Sequence, residues 1–248
     1  MSALIAGVLG GLIISAVQTV TTGPLIHQAE KYETTSSVTP AGGRKQPPQM
    51  QAKQDVHAHA FAIAGLHDHA AAWAPEEGPQ RVFFTIITNV IVGVGFALLV
   101  VAGFALSGRR VDVSSGVLWG LGGFTVFTLA PGLGLPPELP GTAAAELAAR
   151  QGWWIFAALA TALGLWLMIF TENILLRLAG VLSLVLPHAV GAPHSPTLTN
   201  AVPPELAAHF ASSSIVTAAI FWVLLGSIAA IAYGRLDKSV EVGSADPT

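Results

Sequence analysis

Eight histidines, His27, His57, His59, His67, His69, His188, His194 and His209, are the residues of this chain best suited to chemistry. Imidazole is the commonest protein ligand for borderline divalent ions, and neutral imidazole coordinates them through a ring nitrogen. The densest group is His57-Ala-His59 with His67-Asp68-His69. In extended backbone an H-x-H pair sends both rings to one side, whereas on a helix the two diverge by about 200°. Spacing therefore leaves the geometry open, although on a helix His59 and His67 fall only about 80° apart around the axis. Imidazoles beside the carboxylate of Asp68 suit Co²⁺, Ni²⁺, Zn²⁺ or Cu²⁺ without selecting among them. Cysteine is absent. Any metal site must therefore use imidazole, carboxylate or carbonyl rather than thiolate.

A second constellation is a set of proline-rich runs carrying one charged or imidazole group each. These are Pro131 to Gly141 with Glu138, Pro187 to Pro193 with His188, and Val202-Pro-Pro-Glu205. Proline lacks an amide donor, so these runs are expected to lie outside regular helix, with carbonyls free to meet an ion where the backbone lines a cavity. The candidate metal ligands are thus His57, His59, His67, Asp68, His69, His188, Glu138 and Glu205. No P-loop, H-E-x-x-H or G-x-S-x-G sequence is present, so neither ATP hydrolysis by that route nor those enzyme classes are expected. No catalytic residue and no prosthetic group is expected. Gln18 and Asn89 are the main amides inside apolar stretches, and interhelical hydrogen bonding is the favoured role for them over ion coordination.

The elements that must position these groups are membrane helices. Of the 248 residues, 52% are apolar and 10% charged, and stretches such as 82–106 and 153–170 contain no Asp, Glu, Lys or Arg. Those are bilayer-spanning lengths. The expected fold is an all-α polytopic transmembrane bundle of about six spans, with five the alternative. Its parts run 1–22 (first span), 23–81 (a flexible, His-rich outer loop), 82–106, 114–135, 136–152 (a Pro/Gly-rich outer loop), 153–171, 173–190, 191–210 (an outer loop), 211–233 and 234–248 (a polar tail). Within the first loop, 34–54 reads as poorly ordered and 56–73 as a candidate short helix. Gly7/Gly11 and Gly116/Gly120 have the small-xxx-small spacing that lets helices approach closely.

The fifth span is the weakest, because a mid-bilayer Arg177 would cost roughly 2.5 to 3.5 kcal/mol. Lying four residues into the segment, it can instead reach back toward the interface beside Glu172. With six spans all eight histidines fall on the outer face. The inner face then collects Arg109, Arg110, Arg177, Arg235 and Lys238, which puts both termini in the cytoplasm of a cell (inner) membrane protein. Net charge is −3 with scattered basic residues, so no nucleic-acid partner is expected.

Several motifs in combination resemble the CbtA family of probable cobalt transporter subunits. They are Gln28-Ala-Glu30-Lys-Tyr-Glu33, the H-D-H-x-x-x-W-x-P loop from His67 to Pro75, Leu135-Pro-Pro-Glu-Leu-Pro-Gly-Thr142, Leu186-Pro-His188 with Gly191-Ala-Pro193, and Phe221-Trp222. The resemblance covers nearly the whole chain. It implies a membrane component of cobalt uptake linked to cobalamin synthesis. It also implies a small single-span partner subunit with a His-rich end; self-association is a further expectation. On this reading cobalt is cargo. The outer His/Asp/Glu groups capture it and the bundle passes it inward, the alternative being a metal-binding or sensing scaffold that translocates nothing. Capture by imidazole is expected to weaken as pH falls through about 6.5.

Overall fold

The structure, a computed structural model, describes residues 1–38, 75–76, 78–195 and 201–244. Every regular element among them is helical: α1 (Ser2–Val20), α2 (Gly23–Val38), α3 (Pro79–Ser107), α4 (Val113–Phe124), a π-helical turn (Thr125–Leu129), α5 (Ala130–Gly134), α6 (Leu147–Phe170), α7 (Ile174–Val190) and α8 (Pro204–Ser244). Five helical stretches are long and apolar enough to cross a membrane: Ser2–Val20, Pro79–Ser107, Val113–Gly134, Leu147–Phe170 and Pro204–Leu236. Their outward Leu, Ile, Val and Phe side chains are exposed in bulk, as lipid-facing surfaces are. With no hydrophobic drive between helices in lipid, close backbone approach must hold the bundle.

Glycine provides that approach. A Cβ at Gly11 of α1 would sit 2.6 Å from Val90 Cα of α3, and one at Gly116 of α4 would sit 2.6 Å from Gly226 O of α8. These two contacts define the pairs α1·α3 and α4·α8. Around them lies one core of Ala3, Ala6, Ala97, Phe104, Trp222, Leu225, Ala229 and Ala230, packed against Trp119 and Tyr233.

The helix α7 is shorter, at 17 residues, which is about 26 Å. It nonetheless returns along α6. Gly180 lies against Gly164, Ser183 Oγ donates to Ala160 O at 2.8 Å, and Trp153 Nε1 donates to Pro187 O at 3.3 Å. Arg177 stays at the starting end of this return, where its Nε donates to Thr171 O at 2.8 Å. That bond uses a carbonyl left free by the end of α6. Arg109 lies nearby, its guanidinium 5.0 Å from the Phe170 ring centroid. The start of α1 and the Tyr233 region of α8 share this end, since Ala3 and Ala230 belong to one core.

Three local expectations need correction. Pro131–Gly134 is helical, as are Pro187–Val190 and Pro204–Glu205. Proline at position 131 would clash with the Phe127 carbonyl in a straight α-helix. Here the wider π turn precedes it, and Pro131 stands in the first turn of α5. Pro204 likewise begins α8, where its missing donor costs nothing. Helix α2 also occupies 23–38, the first part of the expected loop, and α8 takes 204–210 from the expected 191–210 connection. Gly23 and Pro24 stand in the first turn of α2, where proline is tolerated.

Candidate functional site

Between α1, α2, α3 and α8 lies a cavity of about 1040 Å³. It extends from His27, Gly78 and Arg81 at one end to Phe96, Thr128 and Trp222 in the bundle interior. Its walls carry Ser15, Gln18, Thr19, Thr85, Asn89 and Thr217 among apolar neighbours.

The polar side of α1 meets α3 through one hydrogen-bond chain. Ser15 Oγ donates to Gly11 O at 2.7 Å, so its lone pairs face outward from its helix. Asn89 Nδ2 therefore donates to Ser15 Oγ, at 3.0 Å, and also to Gln18 Oε1, at 2.7 Å. The serine fixes which way round the asparagine amide must lie, because Ser15 has already spent its only proton. The interhelical role expected for Gln18 and Asn89 is what the structure contains, and both also line the cavity.

The outer end is organised by Glu30 of α2. One of its oxygens pairs with Arg81 of α3, and the other accepts from His27 Nδ1 at 3.2 Å. The Arg81 hydrogen bond leads the causes that hold the Glu30 carboxyl below its usual range; burial opposes it and His27 assists. An ionised Glu30 can only accept, so it selects the His27 tautomer with hydrogen on Nδ1. Nε2 then carries the ring's lone pair, the arrangement seen where a carboxylate orients a metal-binding histidine. Helix α2 is held over the bundle by Leu25 and Ala29, packed with Leu139, Val202, Leu206 and Phe210.

The inner end is aromatic. Phe127 stacks on Trp222 with ring planes 5° apart and centroids 5.6 Å apart, and Phe96 lies 4.7 Å from the same indole. The π turn brings both Phe127 and Thr128 to this point, and Trp222 Nε1 donates to Thr128 Oγ1 at 3.3 Å. π turns recur at functional positions because they offset the side-chain register of a helix.

Of the expected ligands, His57, His59, His67, Asp68 and His69 lie outside the described residues. His188 is at the far end of α7, its ring 6.0 Å from that of Trp153. Glu138 accepts from Arg150 at 2.9 Å, and Glu205 is exposed in the first turn of α8. Among the described residues no three His, Asp or Glu are close enough to hold a metal, so His188, Glu138 and Glu205 are not brought together. They do share one end of the bundle with His27 and His209, because the Leu139, Val202 and Phe210 cluster ties that end together. Missing from the expected site were Glu30, Arg81 and His27 as a unit. The signal was the His27 to Glu30 spacing of three, which places two residues on one helix face.

The family described as Probable cobalt transporter subunit (CbtA) matches residues 1–234. No curated protein and no solved structure matches the chain.

Proposed function

This chain belongs to the CbtA family of probable cobalt transporter subunits, and from that premise we propose that it is the membrane subunit through which Co²⁺ passes inward. The loop group His57, His59, His67, Asp68 and His69 captures the ion outside. His188 and Glu205 add ligands around the same end. Glu138, engaged by Arg150, instead fixes the 135–141 turn against α6. From the loop the ion passes His27 into the cavity.

The cavity carries this reading. It is a space whose mostly apolar walls carry Ser15, Gln18, Thr19, Thr85, Asn89 and Thr217, beginning at the end that bears the described histidines and reaching the Phe127 and Trp222 stack. Orientation follows from charge. Arg109, Arg110, Arg177 and Arg235 lie at the end of the bundle that holds Met1, whereas Arg81 and Arg150 at the other end are each paired with a glutamate. Basic residues resist translocation, which supports a reading with the termini in the cytoplasm and the cavity mouth outside the inner membrane. A small single-span subunit with a His-rich end supplies the ion to this mouth, and copies of the chain self-associate within the bilayer.

Accumulation of radiolabelled cobalt in cells expressing the chain with its partner tests the proposal. Uptake above control that falls when His57, His59, His67 and His69 are replaced by Ala supports it. Uptake equal to control refutes it, and metal binding without uptake would identify a scaffold.

A further inference from the structure

Four of the hydroxyls along the cavity, those of Ser15, Thr19, Thr85 and Thr217, share a property with consequences for the form in which a cation is held. Ser15 donates its proton to Gly11 O, Thr19 to Ala16 O at 2.7 Å, and Thr85 to Arg81 O at 2.9 Å. Thr217 donates to Thr21 Oγ1 at 3.2 Å. Each oxygen is thereby left with lone pairs alone to offer the cavity. Asn89 spends both Nδ2 hydrogens on Ser15 and Gln18, so its Oδ1 is likewise an acceptor. The walls between α1, α3 and α8 are mostly apolar and carry these neutral acceptor oxygens at a few fixed points. The Arg81 charge at the mouth is offset by Glu30.

Such walls suit a partner that offers hydrogens in several directions. A bare divalent ion would need its inner-shell waters replaced by several direct ligands. Among the described residues no three His, Asp or Glu gather to do so. Six waters take up roughly 180 Å³ at liquid density, against a cavity of about 1040 Å³. The hydrated ion fits without being stripped.

We propose that the cavity binds the divalent cation as its octahedral hydrate, held by hydrogen bonds from the ion's own waters to Asn89 Oδ1 and to the Ser15, Thr19 and Thr85 oxygens. This rests on the transport reading above, and it adds the chemical form of the cargo. Selection inside the cavity then acts on charge and on the size of the hydrate, whereas discrimination by ligand softness belongs to the imidazoles outside. Water-mediated contacts of this kind are nearly as favourable as direct hydrogen bonds.

The probe is hexaamminecobalt(III), an exchange-inert octahedral complex whose ammine hydrogens point outward as those of a hydrate do, and whose metal no imidazole can reach. It is titrated calorimetrically into the full chain in nanodiscs of zwitterionic lipid. Saturable binding is expected, weakened about tenfold by Asn89→Leu and weakened again by the near-isosteric Thr85→Val, which keeps the cavity's shape if the Asn89 variant fails to fold. Replacing His57, His59, His67 and His69 by Ala should leave it unchanged. Absence of saturable binding to a chain that does bind Co²⁺ overturns the proposal, as does undiminished binding to folded Asn89→Leu and Thr85→Val. Binding that follows this pattern in a chain that takes up no cobalt would instead remove the transport reading and leave the hydrate site standing.

Discussion

Asn89 and Gln18, 71 residues apart in sequence, are joined by a 2.7 Å hydrogen bond from Asn89 Nδ2 to Gln18 Oε1 that ties α3 to α1 on the wall of the cavity. Such bonds within a bilayer are worth roughly 0.6 to 2 kcal/mol each. Asn89→Leu removes two, to Ser15 and to Gln18, and leaves Ser15 and Gln18 unsatisfied. A loss of about 1–3 kcal/mol is predicted, read as a lower unfolding midpoint in detergent. An unchanged midpoint would mean that the α1·α3 glycine contact alone holds the pair.

At the mouth, the pair Glu30 and Arg81 makes acid sensitivity predictable in sign. Chiefly because Arg81 donates to it, Glu30 has a folded pKa below its unfolded value. Its contribution to docking α2 is therefore fully present above the unfolded carboxyl pKa, and it is lost as pH falls through the depressed folded value. Hydrogen exchange across α2 should accelerate in that acid window in the wild type. In Glu30→Gln the window should vanish, because nothing is left to protonate. The same acid response in the variant would assign it to another group.

The glycine contacts predict a steric effect at a single position. A side chain at Gly116 must displace Gly226 backbone of α8, and overpacking of this kind costs typically 1–3 kcal/mol or more. Gly116→Leu is expected to separate α4 from α8 and broaden the gel-filtration peak. Gly95→Leu is the control, because a Cβ at Gly95 meets nothing within 4 Å. Equal behaviour of the two variants would contradict the packing described.

Trp222, 2% exposed, is the largest side chain at the cavity floor. Trp222→Ala should destabilise by about 3–5 kcal/mol, and by lengthening the cavity it should admit larger cations. Trp222→Phe keeps the stack with Phe127 but loses the bond to Thr128, and a smaller effect is expected. Uptake of a bulky cation that is identical in all three proteins would show that the indole does not close the cavity.

The bundle itself was legible because lipid imposes length and apolarity on each span, and because Gly7/Gly11 and Gly116/Gly120 announce close contacts by spacing alone. The course of α7 was legible from Arg177, whose position near one end allowed a return along α6. The cavity was not. Ser15, Gln18 and Asn89 are single polar residues in apolar runs, and only the register of α1 against α3, set by Gly11 meeting Val90, brings them together. Proline misled for a related reason. Pro131 and Pro187 look like helix stops in one dimension, whereas a preceding π turn accommodates the first and the second forms only the last turn of α7.

The absence of cysteine from the whole chain makes the central claim directly testable. Ser214 lines the cavity, so Ser214→Cys places a lone thiol on the pathway in a background with no other. The purified variant, reconstituted with its partner in proteoliposomes, is treated with a bulky membrane-impermeant alkylating reagent, and accumulation of radiolabelled cobalt is measured. Passage through the cavity predicts that alkylation abolishes accumulation in Ser214→Cys while the cysteine-free parent is unaffected. Full accumulation by a completely alkylated Ser214→Cys protein would contradict it.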